Sequence, residues 1–465
     1  MEKLLLKNAR IITGEQAGEN DMSCGFLLIK GHRIERVGTG SAPSIRDATV
    51  IDLEGAAMLP GIINAHSHGL TGGPSMPSGS RAFPAAAVHY QRNRHLLSGT
   101  TTALNVCGLV LPEDIDAGCL PHPLDVHVAT AHSPSSIAAA KAVDGAGLLD
   151  KHMQANARFI MAAGAKALGE AGGGQTLGGS AQDYRFIPEA IRQATGVQVH
   201  PLQARRLKDA ILGAKLDGKG RHSDTQLAVI MEEADLSDRI AVSALRALVT
   251  DTVMPPVKLA MDGLEELARL SAEIGVPAIF HTAAPTIDTL LRLAATYRDA
   301  RMIAGHANHP SFSTAEAVDA ARRLRALNVA IDVSTLDGIE TRWRNTPDTF
   351  DALIEARLVD TISTDFAGGD WDSILGAVQR IVRKGQMRPA DAIALATGNV
   401  ARLFTALAGD RGILRAGKRA DIVIAEAHNF SRVRHVISNG RFVVIDGQVC
   451  SELPEGAVHP PDPTD

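Results

Sequence analysis

From residue 61 to about residue 367, short apolar runs alternate with longer stretches in which apolar and polar residues recur at helical spacing. The apolar runs are "GIINAHSH", "GTTTALNV", "LDVHVATAH", "GAKALGE", "PAIFHTA", "RMIAGHA", "NVAIDVST" and "TISTDFA". Each is strand-length, and several turn polar at the C-terminal end. Before the fifth run, "DGLEELARLSAEIGVP" sets Leu264, Leu267 and Ile274 near one helix face, with Gly275 as a stop. Eight strands with helices between them predict a (β/α)8 TIM-type barrel. The stretch from 180 to 256 is too long for a connecting loop and is helical in pattern ("IPEAIRQA", "QARRLKDAILGAKL", "DTQLAVIMEEA"). It reads as an inserted lid or an oligomer contact.

Both chain ends have a different rhythm. Short strands and turns fill the first sixty residues, and "ADIVIAEA" and "RVRHVISNGRFVVIDGQV" repeat that pattern near the end, where Asn439-Gly440 and Asp446-Gly447 signal hairpin turns. The two ends are expected to fold together as a small β-sandwich domain from 1–60 and 406–455, flanking a barrel over 61–405. The Pro-rich segment 456–465 is expected to be a loose tail.

Composition narrows the function. The 465 residues are 45% hydrophobic but only 3% aromatic, so Ala, Leu, Val and Ile must build the core. A net charge of -5 lacks the basic surplus of a nucleic-acid binder. No apolar run approaches the roughly 18 residues of a membrane helix. Charges at Glu2, Lys3 and Lys7 leave no room for a signal-peptide core, so a cytoplasmic location is expected. Four scattered cysteines without a C-x-x-C read as reduced thiols.

Barrel chemistry collects at the C-terminal ends of the strands. The polar residues there are His66 and His68, Lys166 and Glu170, His281, His306 and Asp365. Imidazole and carboxylate are ligands of Zn²⁺, Fe²⁺ and similar ions. Any one of these residues alone has an ordinary explanation, as a hydrogen-bonded core histidine or a turn cap. Their agreement with one fold register points to a metal centre.

The segments "LPGIINAHSHG", "HLLSGTTTALN", "HTAAPT", "AGHAN", "STDFAGG" and "ALATGNVARLFTALAGDRGILRAGKRADIVIAE" resemble the metal-dependent amidohydrolase superfamily over nearly the whole chain except 180–256. "LGEAGGG" and "HTAAPT" are most similar to its enamidase-like and hydantoinase-like cyclic amide hydrolases. The resemblance implies two divalent metal ions per chain, zinc, with iron or manganese as alternatives. His66 and His68 would hold the first ion and His281 and His306 the second. Asp365 would bind the first ion and act as general base, then acid. A metal-bridging hydroxide would attack the carbonyl. The bridging ligand would be Glu170 or a carboxylated Lys166, which alternation places on one face; Glu170 is favoured because it lies at the strand end. Ring deaminases of the superfamily carry His-x-x-Glu after the fifth strand, where this chain has Ala284.

The implied function is opening of a small cyclic amide (lactam, enamide or imide). The alternatives are an acyclic N-acyl amino acid or amide hydrolase, then a deaminase or a non-catalytic binding scaffold. The expected partners are a small-molecule substrate and further copies of this chain (a dimer or tetramer), with no nucleic acid and no membrane. His309 is a candidate substrate contact. His132 and Arg81 could line the mouth, while His200 and His222 in the insertion default to surface roles.

Overall fold

The computed structural model describes residues 3–15, 20–179, 181–336, 346–366 and 372–450. Each predicted apolar run coincides with a strand, the fourth to within one residue: β1 (Ile62–Ser67), β2 (Thr100–Asn105), β3 (Asp125–Thr130), β4 (Ala167–Ala171), β5 (Pro277–His281), β6 (Arg301–Gly305), β7 (Ala330–Ser334) and β8 (Thr361–Ser363). They lie side by side in chain order, each parallel to the next. Closure comes just beyond β8, where Ser67 bridges Phe366 in parallel. There Asp365 N–H donates to the His66 carbonyl at 2.9 Å, and His68 N–H donates to the Phe366 carbonyl at 2.9 Å. The residues that close the barrel are therefore the ones expected to carry its chemistry.

Period-two alternation sorts the strand residues into two layers. Ile63, Ala129, Ala167, Ile279 and Ile303 gather in one apolar cluster with Val400 and Phe404. Their neighbours Ala278, Phe280, Met302 and Ala304 instead join the cluster of the surrounding helices, including Leu264, Leu267 and Leu290.

The inserted segment forms helices Ile187–Thr195, Pro201–Leu212 and Asp224–Glu233, followed by a 33-residue helix, Val242–Ile274. Ile187, Ile191, Leu207, Leu227, Leu245 and Val249 share a core of their own. The long helix runs without interruption through Pro255 and Pro256, so the segment expected to end near 256 continues directly into the helix before β5. Proline removes a backbone donor and costs a helix interior about 3 kcal/mol. Here Val253, Pro256, Val257 and Ala260 are buried along the helix, and that burial holds the axis together.

The chain ends form one nine-stranded sheet, joined where Ala57–Pro60 pairs antiparallel with Ile422–Glu426. Leu6, Ile11, Leu27 and Ile29 share one core with Ile422, Ile424 and Ile437, so both ends build the same small domain. Asn439, Gly440, Asp446 and Gly447 all have positive φ, the conformation of type I′ hairpin turns. The expected loose tail lies outside the described residues. Among the described residues, no helix is long and apolar enough to cross a membrane.

Candidate metal centre

Six side chains from five strand ends converge. The Glu170 carboxylate sits between two histidine pairs: Oε1 lies 2.9 Å from both His281 Nδ1 and His306 Nε2. Oε2 lies 3.5 Å from His68 Nε2 and 3.8 Å from His66 Nε2. Asp365 Oδ1 completes the first side, 3.4 Å from His66 Nε2 and 3.6 Å from His68 Nε2. All but Asp365 are buried, and the Asp365 side chain keeps 14% of its surface exposed.

Glu170 reaches this position through an irregularity in β4. Leu168 packs in the outer layer, and strict alternation would send Glu170 the same way. The ladder to β5 instead shifts between Leu168–Ala278 and Phe280–Ala171, leaving one extra residue on β4. Gly169 makes this fit: its φ is +113°, and a Cβ there would meet the Ile279 carbonyl oxygen at 2.5 Å. Lys166 lies before the strand, half-buried, with its N–H donating to the Val128 carbonyl at 2.9 Å. Among the described residues no hydrogen bond or ion pair joins it to the centre, so the expected sharing of one face by Lys166 and Glu170 does not bring both to the site. His306 and Asp365 both have left-handed backbones, φ 37° and 46°, which cost about 1–3 kcal/mol each and are typical of functional positions.

The arrangement suits a cation. His66 Nδ1 and Nε2, His68 Nδ1 and His306 Nδ1 are buried without a hydrogen-bond partner. Two ligand atoms about 2.0–2.2 Å from one tetrahedral ion stand about 3.3–3.6 Å apart. The 3.4–3.6 Å separations between Asp365 and the His66 and His68 nitrogens match that spacing and are too long for good hydrogen bonds. His66, His68 and Asp365 form one group of potential ligands, and His66, Glu170 and His306 another.

The electrostatics agree. Burial opposes ionisation of Glu170, but His281, His306 and His68 outweigh it and hold the carboxyl well below its usual range. Burial opposes ionisation of Asp365 too, yet His306, His68 and His66 bring it down to about 2. Burial, helped by the neighbouring His306 and His68, outweighs Glu170 and Asp365 and drives His66 down to about 4. At His306 burial is outweighed by Asp365 and Glu170, which raise it to about 9. The two carboxylates thus draw positive charge into a buried cluster, a demand that divalent ions meet.

Other histidines divide as their surroundings dictate. His309 stacks against the centre, its ring centroid 5.4 Å from His281 and 5.5 Å from His306. His132 is buried, with Nδ1 3.0 Å from the Thr130 hydroxyl. His200 caps a helix by accepting from Leu202 N–H. Arg81 and His222 are exposed. Two supporting residues were not read from the sequence. Asp332 accepts from the Thr361 and Ser363 hydroxyls at 2.7 Å and lies 3.4 Å from His306 N; an acidic residue inside "AIDVS" was the available signal. Cys107 is buried against His68, which outweighs burial and lowers the thiol's pKa; a cysteine at a strand end reads as core, so nothing marked it.

Comparison with known proteins adds an independent line. A profile of the amidohydrolase family matches residues 122–450. Adenine deaminase 2 of Agrobacterium fabrum is 38% identical over 87 residues, a stretch covering 19% of this chain and 14% of that relative's own length. The beta-aspartyl dipeptidase of Fervidobacterium islandicum AW-1, solved with a beta-Asp-Leu dipeptide, superposes with a TM-score of 0.51 at 16% identity, covering 97% of this chain and 99% of that one. The A. niger ochratoxinase gives a TM-score of 0.51 at 16% identity over 96% of both chains. At such identities the two structures share the fold.

Proposed function

The chain belongs to the amidohydrolase family, and from that premise we propose that it is a metal-dependent hydrolase that opens a small cyclic amide. The observation that carries this reading is one carboxylate, Glu170, set between two histidine pairs with Asp365 on the first. His66, His68 and Asp365 would hold one divalent ion, His281 and His306 a second, with Glu170 shared. Ions bound there would acidify a water and polarise the carbonyl under attack.

Asp365 is the proton carrier. It is ionised, close to both first-side imidazoles, and the most exposed of the six side chains toward solvent. It takes a proton as water oxygen bonds to the carbonyl carbon, then passes it to the nitrogen as the C–N bond breaks. The ring opens to an amino acid or enamine acid.

One feature supports an amide over an aminated ring, and another a cyclic over a linear substrate. Ala284, three residues after His281, offers no carboxylate to protonate a ring nitrogen, and its backbone N–H is already given to Ser311 Oγ at 2.9 Å. The loop after Glu170 is also tightly packed: a Cβ on Gly172 would meet Leu177 at 2.4 Å, and one on Gly173 would meet Pro77 at 2.7 Å. A ring that holds its amide in the cis form suits so compact a wall. An acyclic N-acyl amino acid is the second substrate class, in keeping with the dipeptidase that shares the fold.

A substrate panel tests the reading. Five- and six-membered lactams, imides and unsaturated cyclic amides are run beside linear N-acyl amino acids and aminated heterocycles. Ring opening of a cyclic member is the expected result. Turnover confined to linear amides removes the cyclic class, and ammonia release from an aminated ring removes amide hydrolysis as the reaction.

A further inference from the structure

His309 lies outside the six-residue set, yet its ring packs edge to face on His281 and tilts against His306. Its orientation is held by a short relay between two strand-end loops. The Ala284 N–H, after β5, donates to Ser311 Oγ at 2.9 Å. Ser311 Oγ lies 2.8 Å from His309 Nδ1, and the Ser311 backbone N–H donates to the same nitrogen at 3.1 Å. A backbone N–H can only donate, so Nδ1 must present its lone pair. The ring proton therefore sits on Nε2. Among the described residues no hydrogen bond reaches Nε2, and the residue is only half-buried. A donor is thus fixed in direction and left without an acceptor beside the His281–His306 pair.

We infer that His309 is a catalytic residue whose Nε2–H donates to the substrate oxygen that gains negative charge as water adds to the carbonyl carbon. The inference rests on the proposed amide hydrolysis at this centre. A donor aimed where charge develops stabilises the transition state more than the ground state. Ser311 is its positioning residue, and the Ala284 backbone sets Ser311. The position that lacks the deaminase glutamate thereby serves the donor through its main chain.

The test uses the zinc-loaded full chain and methylphosphonate, a small tetrahedral oxyanion, with binding measured by calorimetry and bound zinc counted in every variant. His309→Ala is expected to weaken binding about ten- to a hundredfold, the loss typical of a hydrogen bond to a charged group, with zinc content unchanged. His309→Gln, whose side-chain amide can place an N–H near the Nε2 position, should recover most of that affinity. On any amide the wild type hydrolyses, His309→Ala should lower kcat with KM nearly constant. Equal methylphosphonate affinity in wild type and His309→Ala overturns the inference. Loss of zinc in His309→Ala also overturns it, because the residue would then be holding the metal site. A wild-type chain that takes up no zinc overturns the proposed function itself, an outcome distinct from either.

Discussion

The two oxygens of Glu170 face different histidine pairs, so one substitution should separate the two halves of the centre. Glu170→Gln keeps the shape but removes the charge that offsets a second divalent ion. Metal content is expected to fall from about two ions per chain to about one, with hydrolysis falling alongside. Lys166→Ala should leave both unchanged. Recovery of a crippled Lys166→Ala by added short-chain carboxylic acids would instead mark a carboxylated lysine as the bridge. Elemental analysis of the two variants beside wild type decides between them. All six ligand candidates were legible in the sequence because each ends a strand that could be counted. The route by which Glu170 reaches the site was not legible. Alternation from Leu168 points it outward, and nothing in "ALGEA" says that the ladder to β5 slips by one residue there. The His309–Ser311–Ala284 relay was equally hidden, since it depends on how two loops approach each other.

The loops after the first three strands are tied together at one buried residue, Asp114. Asp114, following β2, lies 2.9 Å from His152 Nε2 and 2.5 Å from Lys151 Nζ on the helix Asp150–Gln154 that follows β3. It also accepts from Leu111 N–H at 3.0 Å, and its carbonyl accepts from Gly72 N–H, after β1, at 3.1 Å. Burial pushes the carboxyl up, but His152, Lys151 and the Leu111 N–H outweigh it and bring the pKa down to about 2. A folded-state pKa below the unfolded value of about 3.9 means that the ionised group stabilises the fold above that pH, and that the contribution is lost as pH falls through about 2. Asp114→Asn should therefore cost about 1–3 kcal/mol near neutrality. Urea unfolding of wild type and variant should show this gap shrinking between pH 4 and pH 2. A gap that stays constant with pH would assign the loss to packing. At this scale the sequence was informative where periodicity is strong, as in the eight strands and the Leu264–Leu267 helix face. It misled at the end of the insertion, because the stretch expected to stop near 256 continues through Pro255 and Pro256 into the helix before β5.

For the whole molecule, the barrel and the two-ended sheet followed from counting strands and noticing that both termini share one rhythm. The pairing of Ala57–Pro60 with Ile422–Glu426 did not, since partners hundreds of residues apart carry no local signal. The proposed function rests on a count: His66, His68 and Asp365 on one side of Glu170, and His281 and His306 on the other, would hold two ions. Elemental analysis measures this most directly. The full-length chain is stripped with a chelator, reloaded with zinc, cleared of loosely held metal by gel filtration, and assayed for amide hydrolysis at each loading. About two zinc ions per chain, with hydrolysis rising until both are bound, is the expected result. Full hydrolysis at a firm value of about one ion per chain would contradict it.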